Sequence, residues 1–374
     1  MRTHHIRELD GLRGIMAAWV IIGHTLGALP ALFGAIPNSL YNDIPVQVFI
    51  ILSGFVIFGM LDRGYESYGR YLTGRAFRIF PVYLIVLVLS TFTLNFAEQV
   101  LRAAPVGVAT AARIQVIDIA RDDLVKHFLA HLLLLQGIFP HLIFPYAAVT
   151  IVGQAWSLTL EWQFYLVAPL LFFLVSRLTQ RWTALVAALM VAVCWVVAPE
   201  MDSAFLSNGL PLFSIGFLSS FAFKRGLIQT NRRSRFAIFA ASALLSGLLA
   251  RDFAAASIIW LVSLFAATAS SNELGFAAIR SALSSRLASY LGSVSYPLYL
   301  IHMQLLFACL WITNHFVLSV TSRIIILPLL TLGTSILASE LLHRLIEVPF
   351  QRIGRRLSTA THEQARQIGP NVHR

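Results

Sequence analysis

The chain has 374 residues, 57% of them hydrophobic and 12% charged, with a mean hydropathy of +0.75 and a net charge of +11. Soluble proteins carry about a quarter charged residues, so this composition excludes a water-soluble enzyme, a disordered chain and a disulfide-stapled secreted domain. What remains is an all-α polytopic transmembrane bundle. Its positive charge is almost wholly arginine, with Lys126 and Lys224 the two lysines. These basic residues fall between apolar runs, the pattern of cytoplasmic loops and not of a nucleic-acid binder.

Stretches free of Asp, Glu, Lys and Arg mark the candidate helices in order: residues 14–42, 44–61, 79–97, 127–160, 162–176, 182–199, 203–223, 236–250, 253–272, 287–322 and 324–339. The first follows Arg7 and Arg13 without a clear small-residue cleavage site before Asp43, so it reads as a retained helix. Arg63, Arg70, Arg75 and Arg78, the cluster from Lys224 to Arg235, Arg280 with Arg286, and the residues Arg344 to Arg356 mark inner loops. With spans of about 20 residues, this gives about ten crossings and both termini in the cytoplasm. Residues 127–140 then form a short or re-entrant helix, consistent with Gly137, Pro140 and Pro145. The same arrangement puts Arg102, Arg113, Arg121 and Lys126 outside, against the charge rule. Residues 1–350 form one integral-membrane domain and 351–374 a short basic cytoplasmic tail.

Ionisable groups in apolar runs mark function, because they are costly there and face a bundle interior or a water-filled cavity. Arg13 and His24 are spaced so that a helix carries both on one face, about 16 Å apart along its axis. Arg75 and Arg78, followed by Pro81 and Tyr83, form either an anion site at the mouth of a span or a charge cluster inside the membrane edge. Pro81 suits the first turn of such a helix. Glu161 stands among Trp156, Ser157, Gln163 and Tyr165, and a carboxylate there needs a partner or a proton. His302 follows Ser295, Tyr296, Pro297 and Tyr299 in the longest charge-free run; it is a core histidine or a working one. Cys194 and Cys309 both lie in apolar stretches, and no acidic, histidine or cysteine cluster has metal-binding spacing.

In this order the motifs resemble a known family. Leu9-Asp10-Gly11-Leu12-Arg13-Gly14 followed by His24 resembles the opening of the membrane acyltransferase-3 family. The segments 48–55, 75–83, 156–165, 295–302 and Ile346-Glu347-Val348-Pro349-Phe350 fit its later motifs. Gln47 departs from the family, which often carries an acid there, and Val348 replaces a commonly basic residue. The chain is similar to the stand-alone form without a fused hydrolase-like domain.

The resemblance implies O-acylation, with acyl-CoA (acetyl-CoA first) as donor. The acceptor it implies is a hydroxyl of a glycan or lipid-linked saccharide, or of a small molecule, at the plasma or inner membrane and with no metal. On that basis Arg75 and Arg78 would meet the donor phosphates. Arg13 would guide the pantetheine arm or its carbonyl, and His24 would be the base. Glu161 would orient His24 or bind acceptor. Trp156, Tyr165, Ser157, Tyr299 and His302 would line the substrate site. Transfer directly or through an acyl-enzyme is left open. A transporter using Arg13, His24, Glu161 and His302 as a proton path is the rival reading, although the inverted repeats common in transporters are not evident.

Overall fold

A computed structural model describes residues 6–29, 42–64, 67–177, 196–224, 253–268 and 274–368; the expected runs 236–250 and most of 182–199, with Cys194, lie outside them. The described residues are helical, with no strand and one isolated bridge between Pro140 and Met201. In chain order the helices are α1 (Arg7–Leu26), α2 (Ile44–Leu61), α3 (Tyr68–Phe92), α4 (Leu94–Ala103), α5 (Thr110–Asp122) and α6 (Leu124–Leu132). They continue with α7 (Trp156–Arg177), α8 (Leu206–Lys224), α9 (Ala254–Thr268), α10 (Leu274–Leu283), α11 (Arg286–Ser293), α12 (Ser295–Asn314), α13 (Val320–Leu342) and α14 (Val348–Ile368).

Among the described residues six helical segments are long and apolar enough to cross a membrane: α2, α3, Gly153–Leu174, α8, α12 and Val320–Ser358. α1 is 20 residues long but is not among them. The residues that lower its apolarity include Arg13 and His24, which line the cavities described below. The stretch at 127–140 contains only the end of α6, nine residues long, and a 3₁₀ turn at Gln136–Ile138, too little to cross. Two more 3₁₀ turns, Ala147–Val149 and Gly153–Ala155, carry the chain to α7. Within this segment Ile151 has φ +44°, a left-handed conformation that strains a β-branched residue and is held by burial.

One difference from the sequence reading concerns the start of α3. α3 begins at Tyr68, where the Ser67 side chain accepts from the Arg70 N–H, so Pro81 lies inside the helix and not in its first turn. The basic segment thereby becomes a rigid extension that carries Arg75 and Arg78 on the same rod as the span. After Phe350 the chain stays helical, and Phe350 stacks on Phe77 of α3 at 6.5 Å. A five-residue π turn, His343–Glu347, joins α13 to α14. In it Glu347 accepts from Gln351 at 2.9 Å and lies 2.7 Å from His343 Nδ1.

Small residues let the helices approach closely, as is usual where lipid removes the hydrophobic drive between helices. α2 packs along α8 at Gly54 and Gly216: a Cβ on Gly216 would lie 1.9 Å from the Ile51 carbonyl oxygen. α1 meets α11 in the same way, with Gly14 against the Gly292 nitrogen and Gly292 against the Asp10 carbonyl. Around these contacts a large core forms from Val20, Ile51, Tyr83, Phe213 and Trp260. Gly216→Ala is expected to destabilise the detergent-solubilised protein by about 1–3 kcal/mol through overpacking. Gly333→Ala, whose Cβ meets nothing, is expected to leave its melting temperature unchanged or slightly higher.

Candidate active site

α1 carries Arg13 and His24 into two different cavities. The smaller, about 80 Å³, is walled by Arg13, Ser53, Arg75, Arg78, Glu161 and Tyr165, with Tyr296 and Tyr299 closing it. Three guanidinium groups and one carboxylate thus face a small space. Glu161 accepts from the Ser53 hydroxyl and, at 2.5 Å, from the Tyr165 hydroxyl. Arg75 lies over the Tyr165 ring at 5.8 Å, and its Nε is buried without a partner. Arg13 is 3.6 Å from Asp10, one turn back on α1. Arg78 lies within electrostatic reach of Glu347, which is not part of the wall. α7 and α1 bring Tyr165 and Arg13 to the Arg75–Arg78 pair, so three guanidinium groups converge on one cavity.

The larger cavity, about 460 Å³, lies in the range of ordinary small-molecule sites. Its wall includes His24, Asn42, Asp43, Arg113, Gln154 and Trp156, with further residues from α4, α5, α12 and the turns before α7. The Arg113 guanidinium donates through Nη2 to the His24 carbonyl at 2.8 Å and reaches His24 Nδ1 at 3.5 Å; Asn42 Nδ2 is 3.4 Å from the same Nδ1. Arg113 Nη1 is buried without a partner. Burial pushes the Arg113 guanidinium down to about 10, which leaves it charged at neutral pH.

Tyr299 belongs to both walls. Its hydroxyl donates to the Gln154 carbonyl at 2.6 Å, so the Ser157 hydroxyl, 2.8 Å away, must donate to the phenol oxygen. One turn along α12, His302 is fully buried, its ring 5.1 Å from that of His24. The sequence-selected residues therefore separate into two groups. Arg13, Arg75, Arg78, Glu161, Tyr165 and Ser157 meet at the smaller cavity; His24 and Trp156 meet at the larger, with His302 behind His24 and Tyr299 between the two.

One pairing needs correcting. Glu161 is not the neighbour of His24: its bonds go to Ser53 and Tyr165 beside Arg13, whereas His24 faces Arg113, Asn42 and His302. Glu161 lies one turn into α7, on the Arg13 side of Tyr299. Arg113, Asn42, Gln154 and Ser53 were not selected from the sequence. Arg113 did leave a signal, as one of the arginines that the charge rule places on the wrong side. No cluster of three or more metal-ligating side chains occurs among the described residues.

The chain is also similar to known proteins. The acyltransferase-domain family, acyltransferase-3, matches residues 6–340. Acyltransferase MdmB of Streptomyces mycarofaciens is 27% identical over 357 residues, covering 86% of this chain and 84% of that protein. No solved structure matches. The chain belongs to the acyltransferase-3 family and is an acyl-transferring, multi-pass membrane enzyme.

Proposed function

We propose that the enzyme moves a short acyl group, acetyl in the first instance, from cytoplasmic acyl-CoA to a hydroxyl of a glycan or its lipid-linked precursor. The observation that carries this reading is the pair of unlike cavities meeting at Tyr299: one cationic, the other roomier and fitted with imidazole, amides and an indole. The cationic cavity lies beside the arginine-rich start of α3, the cytoplasmic end by the charge rule. At about 80 Å³ it suits the slender arm of a donor and not a nucleotide. The donor phosphates then lie at its mouth, within reach of Arg75 and Arg78, and Arg13 meets the pantetheine arm, whose thioester end reaches past Tyr299 toward His24 and Arg113. On the other side of Tyr299 the acceptor sits in the larger cavity. Trp156 gives it a stacking face, and Asn42 and Gln154 offer hydrogen bonds that suit a polyhydroxylated ring.

Transfer needs a base for the hydroxyl and a positive group for the charge that develops on oxygen. His24 supplies the first and the unpartnered donors of Arg113 the second. Tyr299, tied to Ser157 and Gln154, separates the donor end from the acceptor end until transfer.

Mass spectrometry of envelope glycans and their lipid-linked precursors tests the reading. An acyl-sized mass gain is expected with the intact protein and is lost with His24→Ala; no gain in any glycan fraction would remove the glycan acceptor. Coenzyme A release from acyl-CoA tests the donor separately. Arg78→Met should raise the KM for acyl-CoA by about 10–100-fold, the worth of a charged hydrogen bond, with the melting temperature unchanged. Tyr299→Phe should raise acceptor-independent coenzyme A release several-fold, because water then passes the loosened partition.

A further inference from the structure

We propose that His302 is the positioning partner of His24, so that the two imidazoles act as a dyad in which His24 takes the acceptor proton through Nδ1. This rests on the acyl-transfer reading above and gives His302 a role other than lining the substrate site.

The argument begins with the proton on His302. Its Nδ1 stands 2.7 Å from the Tyr299 carbonyl oxygen, which only accepts, so Nδ1 carries the proton and the lone pair is on Nε2. That Nε2 is buried and has no hydrogen-bond partner. A basic nitrogen left unsatisfied in a dry interior costs free energy unless something uses it.

His24 has the complementary arrangement. Its Nδ1 faces the guanidinium of Arg113, which only donates, and the Asn42 side chain. The lone pair is therefore on Nδ1, toward the larger cavity, and the proton is on Nε2. The His24 and His302 ring centroids are 5.1 Å apart with their planes inclined at 34°. An imidazole N–H···N bond of ordinary length puts two ring centroids about 5 Å apart. A small rotation of the His24 side chain then gives its Nε2–H to His302 Nε2. No carboxylate among the described residues is hydrogen-bonded to either ring. Arg113 from α5 is the charged group nearest His24, and Asp43 shares the cavity wall.

In this arrangement the acceptor hydroxyl replaces the long contacts at His24 Nδ1 and passes its proton there. The hydroxyl oxygen bonds to the acyl carbon, the carbon–sulfur bond breaks, and the thiolate leaves with the proton returned from Nδ1. His302 holds the ring so that the lone pair faces the cavity, and it bears part of the charge of the transient imidazolium, as an orienting group behind a base does.

Three variants and one spectrum test this. His302→Leu, compared at equal melting temperature in membranes given acetyl-CoA, is expected to lower kcat for coenzyme A release by about 10–100-fold, the cost of losing such a partner, and to leave the KM for acetyl-CoA unchanged. His302→Gln, which returns an acceptor oxygen near the Nε2 position, is expected to recover most of that loss; a purely packing role would favour leucine over glutamine. Nitrogen-15 NMR of histidine-labelled protein in bilayers should show His24 protonated at Nε2 and His302 at Nδ1, assigned by the signals missing in His24→Gln and His302→Gln. His24 should lose its single tautomer in His302→Leu. A His24 protonated at Nδ1, or wild-type kcat in His302→Leu, overturns the dyad. A wild type that releases no coenzyme A overturns the acyl-transfer reading instead, and the tautomers then decide the pairing by themselves.

Discussion

The cost of holding ionisable groups at membrane depth governs the architecture. α1 carries Arg13 near its start and His24 near its end, and neither can face hydrocarbon. The surrounding helices must therefore enclose polar space at both ends of one rod. The glycine contacts of α1 with α11 and of α2 with α8 lie outside the cavity walls and fix the positions of α1 and α2, which carry Arg13, His24 and Ser53 to those walls. Tyr299 is placed where those cavities come nearest, and its hydroxyl is fully used by Gln154 and Ser157.

Charge is balanced differently at the two ends. At the Arg13 end the guanidiniums are opposed by Glu161 on the wall and by Asp10 and Glu347 outside it, so an anion entering there displaces little. At the His24 end Arg113 is held by a backbone carbonyl, with no ion pair to a carboxylate among the described residues, and part of its donor capacity is unspent. Such an arginine is strongly attracted to negative charge that forms nearby, which suits a group on which an oxyanion develops.

How much of this was legible in the sequence depended on whether a residue's partner lay on a recognisable spacing. Arg13 and His24 share a helix face, so their relation could be read from α1 alone. The cluster of Arg75, Arg78, Glu161 and Tyr165 was legible as separate polar intrusions into apolar runs, and the fold joins them. The position of Glu161 was not, since hydropathy says that a carboxylate is buried but not which of two cavities it enters. Arg113 showed in the sequence only as a charge on the unexpected side, because α5 is an ordinary polar helix by composition and 89 residues separate it from His24. The start of α3 was misjudged because a charged segment was taken as loop, whereas Ser67 caps it and the helix runs on through Pro81.

The two cavities also differ in the kind of chain that builds them. The Arg13-side cavity is walled by α1, α2, α3, α7 and α12, whose sequences are constrained along their whole length by the bilayer and by one another. Much of the His24-side cavity is instead walled by α4, α5 and the turns before α7, an excursion that leaves the bundle between two spans. There α4 and α5 present buried apolar residues such as Leu94, Val100 and Ile117 to Leu306 and Leu310 of α12, and their cavity-facing residues lie beside that packing. On the reading proposed above, acceptor choice then depends on a part of the chain different from the one that meets the donor.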